Sequence, residues 1–417
     1  MAPPHMILWQ FALKSSIVAV VVKGNFDFKS IEPYSNAEFA QGLIRILENP
    51  ALPLIFKALF PDSQFEEFVQ VLRTIESIED FQGTIISDAV NSILHFTSKG
   101  LTLSGLTQHA PDKKCLYISN HRDIICDPAF LTNSLYVRGY GTPKICLGDN
   151  LLTHPLVIDL VKMNKGITVK RNLPPRELLK FSFALSTFIY GQINQKIDSV
   201  WIAQREGRAK DGNDITQTGI LKMLTMAGEG EFIQRIKGLN IVPVSISYEY
   251  DPCDALKARE LYLTEMAGSY KKAPSEDIVS IRTGIQGDKG RININVGAAL
   301  NKVMDERFEN SGSAFHISLN KREQVALVAT LLDQQIQKNF QNWPSHYIAY
   351  DLVTDSDIMK EHYTAEEKTV FLARMETQLN SITLLHPDFP PEARPRLRQI
   401  FLDSYANSVR NSAPLSQ

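Results

Sequence analysis

The 417 residues exceed what one small core organises and suit one large domain with helical additions, or two domains. Hydrophobic residues at 44% and charged residues at 22% exclude a disordered or fibrous chain. With 44 Lys and Arg against 46 Asp and Glu, bulk charge does not hold a nucleic acid, although a local basic pocket stays open. The four scattered cysteines, Cys115, Cys126, Cys146 and Cys253, form no CxxC pair and are read as reduced cytoplasmic thiols, not as a disulfide framework or zinc site.

At the N-terminus, Met6 to Val22 is mostly apolar but interrupted by Gln10, Lys14, Ser15 and Ser16. A spanning helix needs roughly 20 mostly apolar residues, and a central Lys costs about 2.5–3.5 kcal/mol. A core or membrane-surface segment is the leading reading. A start-codon artefact, with the natural start near Val22-Lys23-Gly24, is the second, and a spanning helix the third. Residues 35–100 are expected to be helical, beginning with the capping-box pattern Ser35-Asn36-Ala37-Glu38. Leu54 to Phe60, an apolar piece between Pro53 and Pro61, is read as core packing before membrane contact.

From about residue 115 to 300 the pattern changes. Short apolar runs at 115–118, 143–147, 167–169, 199–203, 241–246 and 290–296 end abruptly in polar loops, and amphipathic segments at 128–138, 155–163, 175–195 and 216–227 separate the first five. Alternating buried strands and helices predict an α/β domain with a largely parallel sheet flanked by helices. Beyond about Ser318 the chain turns helical again, with helices over 325–336, 355–382 and 391–409 and a proline-rich linker at His386–Pro391. The expected organisation is an apolar stretch over 1–22, a helical region over 23–105, the α/β domain over 106–317 and a helical C-terminal region over 318–417.

In an open α/β sheet, function gathers where strands end. Asn120-His121-Arg122-Asp123 and Asp127 follow the first of these strands. A carboxylate beside an imidazole fixes its tautomer and stabilises its protonated form, leaving the other nitrogen to accept a proton. Asp127 equally suits the N-cap of a helix starting at Pro128. Lys170-Arg171 after the 167–169 strand suits a phosphate or carboxylate, or is a solvated charged loop. Arg205-Glu206-Gly207-Arg208 follows a strongly apolar strand, where Gly207 permits close backbone approach and Arg208 can grip an anion. Asp211-Gly212-Asn213-Asp214 lacks a full metal ligand set. Pro243 inside the run Ile241-Val242-Pro243-Val244 points to a strand edge, a bulge or a pocket wall.

In this order the four segments resemble the motif set of the glycerol-phosphate and lysophosphatidate acyltransferase superfamily, in phrasing most similar to its bacterial glycerol 3-phosphate branch. The resemblance covers about residues 110–300. It implies an O-acyltransferase of phospholipid synthesis, peripheral on the cytoplasmic face of the bacterial inner membrane. The donor would be the thioester of acyl carrier protein or coenzyme A, and the acceptor glycerol 3-phosphate or a lysophosphatidate. No metal or prosthetic group is implied. Catalysis would fall to His121 and Asp127, and substrate binding to Arg122, Lys170, Arg171, Glu206, Gly207, Arg208 and Pro243. The family leaves four residues between its His and Asp; here five separate His121 from Asp127 and one separates it from Asp123, so both carboxylates are candidates for the partner. Acylation of an amine, covalent catalysis through Cys126 and a non-catalytic lipid-binding protein are the rival readings.

Overall fold

The computed structural model describes residues 26–59, 64–273, 275–310, 318–385 and 390–412. The apolar stretch Met6–Val22, Phe60 and most of the linker His386–Pro391 lie outside them. Seven strands form one sheet: β1 (Leu101–Ser104), β2 (Leu116–Ser119), β3 (Lys144–Gly148), β4 (Gly166–Val169), β5 (Val200–Ala203), β6 (Ile241–Tyr248) and β7 (Ile292–Val296). Their order is β1-β7-β6-β2-β5-β3-β4. Every pairing is parallel except β6 with β7, so the largely parallel, helix-flanked sheet expected from the sequence is present. The sheet also takes in β1, which lies N-terminal to the residue-106 boundary drawn from the sequence.

Side chains alternate faces along each strand. Leu116, Ile118, Val200, Ile202 and Ile241 enter one buried cluster, with the helices Pro175–Asn194, Thr218–Leu224 and Lys321–Lys338. Tyr117, Trp201, Val242, Val244 and Ile246 enter the opposite cluster, beneath the helices Ser87–Thr97 and Cys126–Tyr136. The N-terminal helices close over a third core around Phe39, Leu72, Phe81 and Leu156. Ser35 and Glu38 form the reciprocal cap the sequence signals. The C-terminal helices Pro344–Thr354, Ala365–Leu385 and Arg394–Ser412 pack with Asp254–Ala267 around Phe371, Phe401 and Tyr405.

Pro243 sits in an internal strand without costing a ladder bond. It pairs in register with Ile118 of β2, while the antiparallel ladder to β7 begins one residue later at Val244. Its carbonyl accepts from Gly297 N at 2.8 Å, on the β7 side, so the missing N–H faces the point where that ladder ends.

Candidate active site

The C-terminal end of β2 is where the chain leaves the sheet, and a side chain takes over the pairing there. Asn120 Nδ2 donates to Ile246 O at 2.9 Å and its Oδ1 accepts from Ile246 N at 2.8 Å. The amide thus imitates one more strand residue while the backbone turns away and presents His121. The imidazole rests edge-on against Trp201, with ring centroids 5.7 Å apart. Trp201 is fixed in turn by donation from Nε1 to Ser119 Oγ at 3.0 Å.

His121 Nδ1 lies 2.9 Å from Asp127 Oδ2. The same oxygen accepts from the backbone N–H groups of Arg122 (2.6 Å) and Asp123 (2.9 Å), and Asp127 Oδ1 accepts from the Tyr248 hydroxyl at 2.7 Å. Asp127 is fully buried, so this carboxylate is compensated by four donors and not by water. Because a carboxylate accepts, the proton on the ring belongs on Nδ1 and the lone pair on Nε2. The imidazole keeps partial access to solvent, with 14% of its side chain exposed.

Asp123 faces elsewhere. Its Oδ1 accepts from Ile125 N and Cys126 N at 3.0 and 2.8 Å, satisfying free amides at the start of the helix Cys126–Tyr136. Among the described residues its Oδ2 is buried without a partner, and it is pressed close by Gly284, where an added Cβ would stand 2.1 Å away. Burial, and then the charge of Asp127, hold the Asp123 carboxyl above the usual carboxylate range. The two carboxylates therefore divide the two tasks that the sequence left open for Asp127. Cys126 is fully buried, and burial followed by the Asp123 charge pushes its thiol well above the ordinary cysteine value, which disfavours a thiolate.

The loop after β5 is tied to the same place. Gln204 N donates to Ser119 O and Ala209 N donates to His121 O, both at 2.8 Å. Gly207 has a φ of +71° and, among the described residues, nothing within 4 Å of an added Cβ, so glycine serves the left-handed backbone. Arg208 is buried with Nη1 unpartnered among the described residues, and its charge reaches Asp123, Asp251 and Asp277. Glu206 is 64% exposed, with Oε1 3.5 Å from Arg171 Nε. Arg171 is anchored by its backbone N–H on Asp149 Oδ1 at 3.1 Å, and Asn150 donates to Asp277 at 3.1 Å. The ends of β2, β3, β4 and β5 thus gather His121, Asp127, Arg171, Glu206, Gly207 and Arg208.

Three of the expected residues stand apart. Lys170 is half-buried, and no hydrogen bond or ion pair ties it to the others among the described residues. Pro243 is buried inside β6, level with Ile118. Arg122 is turned into the protein: its guanidinium donates to Asp214 Oδ2 at 2.6 Å and Gly212 O at 3.3 Å, and lies over the Phe340 ring at 5.3 Å. Sequence patterns placed Asn120 in the motif without its pairing to Ile246, and gave Tyr248 and Trp201 no part in the site, because each acts on a residue far away in the chain.

Residues 100–247 match a family model described as Acyltransferase. No curated protein sequence matches the chain. Among solved structures, the chain is similar to the 1-acyl-sn-glycerophosphate (LPA) acyltransferase PlsC from Thermotoga maritima, with 11% identity, a TM-score of 0.32, and coverage of 69% of this chain and 96% of that one.

Proposed function

We propose that the chain, whose residues 100–247 match the acyltransferase family model, esterifies a small phosphorylated acceptor, glycerol 3-phosphate or a lysophosphatidate, with a fatty acyl group from a coenzyme A or acyl carrier protein thioester. The observation that carries this reading is the His121–Asp127 contact, which leaves Nε2 as the basic nitrogen at a strand end. In the forward step Nε2 takes the proton of the acceptor hydroxyl as its oxygen attacks the thioester carbonyl. The tetrahedral oxyanion then collapses, the C–S bond breaks, and the imidazolium returns its proton to the departing thiolate. Asp127 holds the ring and offsets the imidazolium charge. General-base assistance of this kind contributes about 10²–10⁴-fold, and alignment of two bound substrates adds to it.

Arg171 and Arg208 hold the acceptor phosphate, and Glu206 receives acceptor hydroxyls. The Arg171–Glu206 pair is open enough to be opened by a competing phosphate, since isolated exposed pairs contribute about 0–1 kcal/mol. Arg122 takes no part in phosphate binding in this reading; it braces the loop at Gly212–Asp214.

The enzyme works at a membrane surface. Among the described residues no helix is long and apolar enough to cross a membrane. Residues 174–180, Pro-Pro-Arg-Glu-Leu-Leu-Lys, are all exposed, with Leu178 and Leu179 at 43% and 55%, directly after the β4 end of the site. Adjacent leucines flanked by Arg176 and Lys180 suit the interface of an anionic bilayer.

The test is to incubate the purified protein with an acyl thioester and separate acceptors: glycerol 3-phosphate, a lysophosphatidate, and an amine such as a free amino acid. An ester of a phosphorylated acceptor, absent with His121→Ala, is expected. An amide product would assign the acceptor wrongly, and full turnover by His121→Ala would remove the mechanism.

A further inference from the structure

Asp127 sits between two side chains, not one. On the side away from His121, its Oδ1 accepts from the hydroxyl of Tyr248 at 2.7 Å. Tyr248 closes β6 and lies one residue beyond the stretch matched by the acyltransferase family model. It is 3% exposed, and its ring packs near Phe130 of the helix that carries Asp127, with centroids 6.4 Å apart. That helix and β6 therefore hold carboxylate and phenol in fixed register. Burial, and then the negative charge of Asp127, push the phenol well above its ordinary value, so it keeps its proton and stays a donor.

We propose that Tyr248 is a positioning residue that extends the His121–Asp127 pair into a linear His–Asp–Tyr chain, fixing the rotamer of Asp127 and setting the basicity of His121. The proposal rests on His121 acting as the base. Rotation of Asp127 about its Cβ–Cγ bond would aim its orbitals away from Nδ1. The backbone N–H groups of Arg122 and Asp123 hold only Oδ2, leaving Tyr248, among the described residues, as the donor that pins Oδ1. A donated hydrogen bond also draws charge from the carboxylate and so tempers its pull on the imidazolium. The other titratable groups at this carboxylate are Asp123 and Cys126, with Arg208 beyond Asp123.

Tyr248→Phe keeps the ring and deletes the donor. Without it, Asp127 becomes a stronger base, binding its own proton or the imidazolium proton more tightly. Both changes move the acid limb of the pH–kcat/KM profile to higher pH. The expected result is a limb shifted upward by about half a pH unit or more, kcat lowered about tenfold, and both KM values within about twofold. A merely structural tyrosine would lower active enzyme without moving the limb. An unmoved limb in Tyr248→Phe, in a protein that His121→Ala inactivates, overturns the proposal; activity in His121→Ala itself overturns the base reading instead. Should Tyr248→Phe fail to fold, 3-fluorotyrosine introduced at position 248 provides the opposite perturbation. Its hydroxyl donates more strongly, so the limb is expected to move to lower pH, and no movement overturns the assignment.

Discussion

Replacing Asp127 by asparagine removes one charge and almost no volume, which isolates what the carboxylate does. The amide retains an oxygen for the Arg122 and Asp123 backbone donors that now share Oδ2, and Tyr248 can turn its hydroxyl to accept from the new NH₂. The fold should therefore lose only on the order of 1–2 kcal/mol. Catalysis should lose more. Opposite unit charges about 4 Å apart interact by about 4 kcal/mol at an effective dielectric constant of about 20, which caps the loss at about a thousandfold in kcat. Asp123→Asn is the matched control. Its carboxyl is already held toward the neutral form, and an asparagine oxygen can still serve Ile125 N and Cys126 N. Its kcat should stay within about twofold to threefold of the parent. The assay is steady-state thioester consumption for both variants, with urea melts to confirm folding. A larger loss for Asp123→Asn than for Asp127→Asn would refute the assignment of the partner.

Arg171→Lys and Arg208→Lys should each raise the acceptor KM about tenfold while leaving the thioester KM within about twofold, because lysine lacks paired donors; equal losses for both substrates count against a phosphate site. Burial pushes the Asp333 carboxyl up to about 6. Its folded value lies above its unfolded one, so its stabilising contribution is complete below the unfolded value and is lost as pH rises through about 6. Asp333→Asn should thus raise Tm near pH 7.5, relieving on the order of 2–3 kcal/mol, and leave Tm near pH 4 unraised; equal Tm changes at both pH values contradict this. Leu178→Glu combined with Leu179→Glu should weaken sedimentation with phosphatidylglycerol vesicles at least about tenfold, and unchanged sedimentation would move the contact elsewhere.

What the sequence made legible was local. The apolar runs at 199–203 and 241–246 fall on β5 and β6, and Ser35 with Glu38 caps the helix Asn36–Leu47 as their spacing predicts. β1 escaped notice because Leu-Thr-Leu-Ser is four residues long and only half-buried, too short to stand out as a period. The direction of β7 was equally hidden, since parallel and antiparallel strands share one alternation. The choice between Asp123 and Asp127 could not be made from spacing, because it depends on where the helix Cys126–Tyr136 starts and which free amides need an acceptor. Tyr248 reaches Asp127 across 121 positions of chain, and no local pattern encodes that contact.

The bracing of the loop that follows β5 bears on when the protein becomes competent during its synthesis. Asn407 Nδ2 donates to Asp211 O at 2.7 Å, and Gly212, at φ +77°, runs so close to Ser404 that an added Cβ would stand 2.1 Å from its carbonyl oxygen. Phe340 lies under the Arg122 guanidinium that bridges to Asp214. The segment that shapes the surroundings of His121 is thus braced by a residue translated 196 positions later. A nascent chain still lacking the helix Arg394–Ser412 would already hold His121, Asp127 and Tyr248 and yet leave that loop unsupported. Emergence of the helix Arg394–Ser412, more than completion of the sheet, becomes the moment at which that loop gains its support.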